Sequence, residues 1–218
     1  NNCVIHQGTI GIQVNNNATA TSNCTEGVHI NGCTILNCTT GVKFGESTTA
    51  NTDNLPGWFV EGSHISCTDV GIELELVVQA FIENNLVYAL GGTTHSAIRI
   101  IGPITNSPST LEADLVITNN TLLNVGSYSG NTYCINFIGG DASPGNLSCR
   151  VGNNSFQEYT NAIICDANVT VVEISPDNRV LSGGTYTGTL STTIIACGFS
   201  LDVGIGIIYG PYGCPNCS

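Results

Sequence analysis

One pattern constrains this chain more than any other: a small residue followed by apolar, any residue, apolar, returning about every thirty positions. It reads Gly11-Ile12-Gln13-Val14, Gly41-Val42-Lys43-Phe44, Gly71-Ile72-Glu73-Leu74, Ala97-Ile98-Arg99-Ile100, Cys134-Ile135-Asn136-Phe137 and Ala162-Ile163-Ile164-Cys165. The first apolar positions lie 30, 30, 26, 37 and 28 residues apart. A second column runs through the same repeats as Ile30/Gly32/Ile35, Val60/Gly62/Ile65, Ile82/Asn84/Val87, Ile117/Asn119/Leu122 and Val151/Asn153/Phe156, with a looser copy at Ile174/Asp177/Val180. Inside each repeat the apolar residues alternate with period two and show no sustained helical period, so a repeat is three short strands joined by turns. One such unit cannot bury its apolar face alone and must stack on its neighbours. Strands stacked on their equivalents pair in parallel about 4.8 Å apart. The expected fold is all-β, a single-domain parallel β-helix with three strands per coil and about seven coils over residues 1–199. Residues 200–218 form a C-terminal segment that caps the coil or contacts a neighbour.

The Gly/Asn column has a physical cause. A tight bend between the second and third strands needs left-handed backbone angles, which Gly and Asn adopt most readily. Gly32, Gly62, Asn84, Asn119 and Asn153 are therefore expected to form a turn ladder, the Asn amides bonding along the stack. Connections between the first and second strands vary in length, so loops should project near 13–27, 45–57, 101–114 and 138–147, where binding or assembly surfaces are expected. The third-to-first connections 89–96 and 124–133 are also lengthened.

The repeat resembles the right-handed β-helix of the pectin-lyase-like superfamily, which includes pectate lyases, polygalacturonases and many phage tailspikes. The resemblance covers roughly residues 1–199 and implies right-handed winding. For a pectate lyase it also implies calcium held by clustered acids, yet no pair of adjacent acids lies on a first strand. Asn51-Thr52-Asp53 is similar to the Asn-Thr-Asp motif of polygalacturonases, but their paired Asp, Gly-His-Gly and Arg-Ile-Lys have no counterpart, and the fragment falls in a loop.

Composition narrows the function classes. With four Lys plus Arg against sixteen Asp plus Glu, the net charge is −12, and no basic stripe exists to neutralise phosphates, so nucleic acid is not a partner. No apolar run reaches the roughly eighteen residues of a membrane span. Eleven cysteines, no methionine and abundant Asn, Ser, Thr and Gly point to an extracellular setting or a virion surface. Eight Asn-x-Ser/Thr sequons occur, at Asn17, Asn23, Asn37, Asn119, Asn146, Asn153, Asn168 and Asn216. Asn119 and Asn153 are committed to turns and make poor acceptors, and Asn17, Asn23, Asn146 and Asn168 are taken as the glycosylation candidates.

Outward positions of the first strand read Gln13, Lys43, Glu73, Arg99, Asn136 and Ile164, so Lys43, Glu73 and Arg99 should stack as a surface charge ladder. A glycosidase needs two carboxylates about 5–9 Å apart, and Glu73 has no such partner in its column. A glycosidase would have to recruit further acids from loops or from another chain; Glu73 is the weak alternative, and no catalytic site is assigned. His6, His29, His64 and His95 are scattered, so no metal site and no cofactor are expected.

Outward positions of the second strand read His29, Phe59, Phe81, Val116 and Arg150. Phe59, Phe81 and Val116 would form an apolar stripe facing solvent, an interface candidate covered by loops or by another subunit. Cys3 and Cys33 share a column, which puts them within disulfide range, as do Cys165 and Cys197 on the supposed alignment of the last repeat; stacked free thiols are the alternative. Cys214 and Cys217 are candidates for a local disulfide or a tie to a neighbour. No helix precedes Asn1 to cover the first coil, so a larger protein or another subunit is expected there. Together these features predict a non-catalytic extracellular structural subunit that assembles with itself into a filament, spike or surface layer through coil ends and flanks. The competing expectation is a carbohydrate-binding or polysaccharide-cleaving β-helix acting on a surface polysaccharide, and a host-surface adhesin is the third.

Overall fold

Alternating apolar and polar residues leave the described part of the chain all-β. The structure, a computed structural model, describes residues 1–14, 27–45, 57–75, 79–101, 113–138, 145–165, 169–175 and 177–182. The strands are β1 (Val4–Val14), β2 (Val28–Asn31), β3 (Thr34–Phe44), β4 (Trp58–Glu61), β5 (His64–Glu75), β6 (Gln79–Glu83), β7 (Leu86–Ala89) and β8 (His95–Ile101). They continue as β9 (Ala113–Thr118), β10 (Thr121–Asn124), β11 (Thr132–Ile138), β12 (Gly145–Gly152), β13 (Ser155–Gln157), β14 (Asn161–Cys165), β15 (Val169–Ile174) and β16 (Arg179–Ser182).

Every strand pairs in parallel with its counterpart in the neighbouring repeat, so like residues lie on like. Ile12, Val42, Ile72, Ile98, Ile135 and Ile163 are successive in-register partners. So are Ile30, Val60, Ile82, Ile117, Val151 and Ile174, and Ile5, Ile35, Ile65, Val87, Leu122, Phe156 and Val180. The three columns share one core, in which Phe44 and Trp58 meet at 4.4 Å between ring centroids.

The expectation of a right-handed parallel β-helix with three strands in each of about seven coils is corrected. The strands form two parallel sheets, one of ten strands and one of six ordered β15-β12-β9-β6-β4-β2. In the larger sheet an eight-strand path runs β14-β11-β8-β5-β7-β10-β13-β16, with β3 and then β1 joined to it at β5. The reason lies in β1, β3 and β5, which are 11, 11 and 12 residues long and carry the expected third and first segments as one continuous strand. In β1 and β3 the bend that a turn would have made is absorbed inside the strand, by the positive φ of Gln7 (62°) and Asn37 (57°), and the β3–β5 pairing shifts register between Ile35 and Thr40. The first half of β5 pairs with β7 and its second half with β8, which ties both segments into the same sheet. Residues 200–218 lie outside the described residues.

Candidate functional site

The larger sheet brings together the main charged cluster. Lys43 on β3, Glu73 on β5 and Arg99 on β8 are in-register neighbours. Lys43 Nζ donates to Glu73 Oε1 at 2.8 Å and to Glu75 Oε1 at 3.0 Å, and Arg99 donates to Glu73 Oε2 at 2.9 Å and Asp69 Oδ1 at 3.4 Å. This is not a solvated ladder: the Glu73 and Glu75 side chains are 8% and 4% exposed. Both oxygens of Glu73 are held by cations, whereas Glu75 Oε2 is buried without a hydrogen-bond partner among the described residues. Glu75 and Asp69 were missed because columns were compared between repeats; the signal was Glu73-x-Glu75, two positions that strand alternation places on one face.

Burial alone would draw Lys43 below the ordinary lysine value, but hydrogen bonds and charge from Glu73 and Glu75 outweigh it and hold its ammonium above that value. A folded-state value raised above the unfolded one stabilises the fold fully below the unfolded lysine value of roughly 10.4, and that contribution is lost as pH rises through the folded value. Denaturation midpoints should therefore fall above about pH 10.4, and Lys43→Arg, which does not titrate there, should show a shallower fall. Equal slopes for the two proteins would refute a charged Lys43 as the source.

A second constellation lies in the core. Cys67 Sγ is 3.3 Å from His95 Nε2. Burial, and then the charge of Arg99, lowers His95 to about 3, while burial pushes the Cys67 thiol well up. Both partners are neutral near pH 7, so the pair is a thiol packed on an imidazole and not an activated nucleophile. His95 Nδ1 and Tyr159 Oη are buried without hydrogen-bond partners among the described residues. Burial likewise raises Tyr128 to about 12, its hydroxyl accepting from Gly91 N at 2.8 Å. Of the other histidines, His64 sits edge-on to Tyr88 and His6 Nε2 lies 3.0 Å from Asn37 Nδ2. Among the described residues no group of three His, Cys, Asp or Glu is arranged to hold a metal ion.

The turns carry two Asn columns. Gly32, Gly62, Asn84, Asn119 and Asn153 all have positive φ, between 51° and 63°. Asn153 Nδ2 donates to Asn119 Oδ1. The continuous amide ladder, however, lies one residue further on and was missed. In Asn85, Asn120 and Asn154 each backbone N and each Nδ2 donates to the next Asn Oδ1 at 3.0 Å or less, the series ending at Asn178. Each Nδ2 also donates to a strand carbonyl, of Val60, Ile82, Ile117 and Val151 in turn. Ser63 and Cys33 continue the column, since Ser63 N donates to Asn85 Oδ1 and Cys33 N to Ser63 Oγ.

On the six-stranded sheet, His29, Phe59, Phe81, Val116 and Arg150 are in-register partners. The His29 and Phe59 rings stack at 4.1 Å with planes 1° apart, and Phe59 and Phe81 at 5.0 Å and 5°. Phe59, Phe81 and Val116 are half-buried, and His29 and Arg150 are exposed.

The remaining candidates divide by position. The Cys3 and Cys33 thiols are free and face the carbonyls of Asn1 and Asn31, not each other. Cys165 ends β14, with its side chain outside the described set; Cys197, Cys214 and Cys217 lie outside the described residues altogether. Asn17, Asn23, Asn168 and the fragment Asn51-Thr52-Asp53 also lie outside, and Asn146 falls in β12 without a described side chain. No helix among the described residues is long and apolar enough to cross a membrane. In comparison with known proteins, the chain matches no family model, no curated protein and no solved structure.

Proposed function

We propose that this chain is a non-catalytic extracellular structural protein that assembles with copies of itself through the outer face of its six-stranded sheet. The observation that carries the reading is the stacked column His29, Phe59, Phe81 and Val116. Apolar residues aligned on an outward face are what an interface core needs. A sugar stacks on an open aromatic face, but each Phe face here is turned to a neighbour in the column, leaving ring edges outward. The Glu73 carboxylate, the candidate for polysaccharide chemistry, has both oxygens engaged by Lys43 and Arg99. The extracellular setting rests on composition, with eleven cysteines and eight sequons.

Two measurements test this. Solution mass and electron microscopy of the native chain should show oligomers or polymers. A monomer that cleaves a surface polysaccharide, and loses that cleavage in Glu73→Gln, would replace the structural reading with the enzymatic one.

A further inference from the structure

Among the sequons, Asn37-Cys38-Thr39 stands in β3 at the place where that strand and β5 fall out of register and return. Ile35 pairs with Ile65 and Cys38 with Cys67, so Leu36 and Asn37 together oppose the single residue Ser66. Thr40 then pairs with Val70, so Thr39 alone opposes Thr68 and Asp69. The first shift is a β-bulge, a device that re-aims a side chain out of the ladder. Asn37 takes φ 57° there, its backbone N donates to Ser66 Oγ at 3.1 Å, and the residue is exposed. Thr39 is exposed as well, whereas Cys38 between them is buried in the core as a free thiol. The rows on either side leave room: Gln7 of β1, between the partners of Leu36 and Cys38, is exposed, and Ser66 of β5 is sunk below the surface. Asn119 and Asn153 differ in this respect, being exposed sequon asparagines on adjacent rows that bond to each other. Rows about 4.8 Å apart cannot both carry a glycan.

We propose that Asn37 is an N-glycosylation site whose glycan covers the β1–β3 part of the ten-stranded sheet. This rests on the extracellular setting in the reading above and adds which face carries sugar. In the transfer, Asn37 Nδ2 bonds to the anomeric carbon of an oligosaccharide carried on a polyprenyl pyrophosphate. The bond from that carbon to the pyrophosphate oxygen breaks, the lipid pyrophosphate leaves with the electron pair, and Nδ2 gives up one proton. Nδ2 lies 3.0 Å from His6 Nε2, and the glycosylated amide keeps one N–H for that contact. Thr39 supplies the hydroxyl that the sequon requires. A glycan is bulky and needs a side chain that leads away from the sheet, which the bulge provides. Because β3 belongs to the larger sheet, a glycan there leaves the column of Phe59, Phe81 and Val116 on the other sheet free for self-association.

The test is enzymatic deglycosylation of the full chain, secreted by the cells that make it, with an amidase that turns each glycan-bearing Asn into Asp in heavy-oxygen water. Mass spectrometry should find the label at residue 37. Thr39→Ala should lose that label altogether and Thr39→Ser should keep it. Asn37→Gly, which accepts the positive φ without strain, should lose the mass of one glycan while circular dichroism shows the same β signal. A secreted chain with residue 37 unlabelled would overturn the site and leave the extracellular reading standing, even where other sequons are labelled. A chain held in the cytosol would refute both.

Discussion

Replacing Asn120 with alanine is expected to cost about 3 kcal/mol or more, whereas replacing its neighbour Asn119 with glycine should cost no more than about 0.5 kcal/mol. Asn120 is 1% exposed, and every polar atom of its amide is used. Its Oδ1 accepts from Asn85 N and Nδ2, and its Nδ2 donates to Ile82 O, Thr118 O and Asn154 Oδ1. Alanine leaves buried donors on one side and buried acceptors on the other, each costing about 1–3 kcal/mol when no water reaches it. The loss also divides a chain of amides that align one another. Asn119 is exposed at φ 59°, a conformation glycine adopts without strain, and forfeits only its bond with Asn153. Urea midpoints, followed by circular dichroism, should therefore separate two adjacent asparagines by several-fold in effect. Equal midpoints for the two variants would mean that the buried amides do not join the repeats.

That contrast also shows where the sequence was readable and where it was not. The apolar columns could be read directly, because parallel in-register pairing places Ile12 over Val42 and Ile30 over Val60, and only apolar-on-apolar stacking fills a shared core. The Asn doublets could not be resolved by column alone. In Asn84-Asn85, Asn119-Asn120 and Asn153-Asn154 the same residue serves two opposite roles, an exposed left-handed bend and a buried amide. The clue was in the earlier repeats: Gly32-Cys33 and Gly62-Ser63 put glycine at the bend and a small buried residue after it. The three-strand coil failed for a comparable reason. Whether two alternating segments are separated by a turn or run on as one strand depends on single residues such as Gln7 and Asn37, whose positive φ leaves the apolar period intact. At the charged cluster, reading across repeats found Lys43, Glu73 and Arg99, while Glu75 and Asp69 sit in the same strand as Glu73 and needed a reading along it.

The bend inside those long strands leads to the second large effect: Gly41→Ala should destabilise the chain by roughly 2–3 kcal/mol, while Ala97→Gly, at the equivalent position, should cost only about 1 kcal/mol. Gly11, Gly41 and Gly71 stand where β1, β3 and β5 pass from their third to their first segment without a break. A methyl group on Gly41 would overlap Ile65 Cγ2 and lie 2.6 Å from Gly71 O, and one on Gly71 would overlap both Ala97 O and Val87 Cγ1. Rotamer change can move an isoleucine methyl, but the opposing carbonyl belongs to the parallel ladder and yields only if the strands separate. From β7 onward the two segments are separate strands, joined through Leu90–Thr94 and then Val125–Asn131, and there the column carries Ala97 and Cys134. The residue type thus follows the tightness of the corner: glycine where the strand is continuous, a side chain where inserted residues have opened it. Melting of Gly41→Ala alongside the original protein would show that the continuous corner is as open as the interrupted one. Corner tightness would then no longer account for long strands in one half of the sheet and paired short ones in the other.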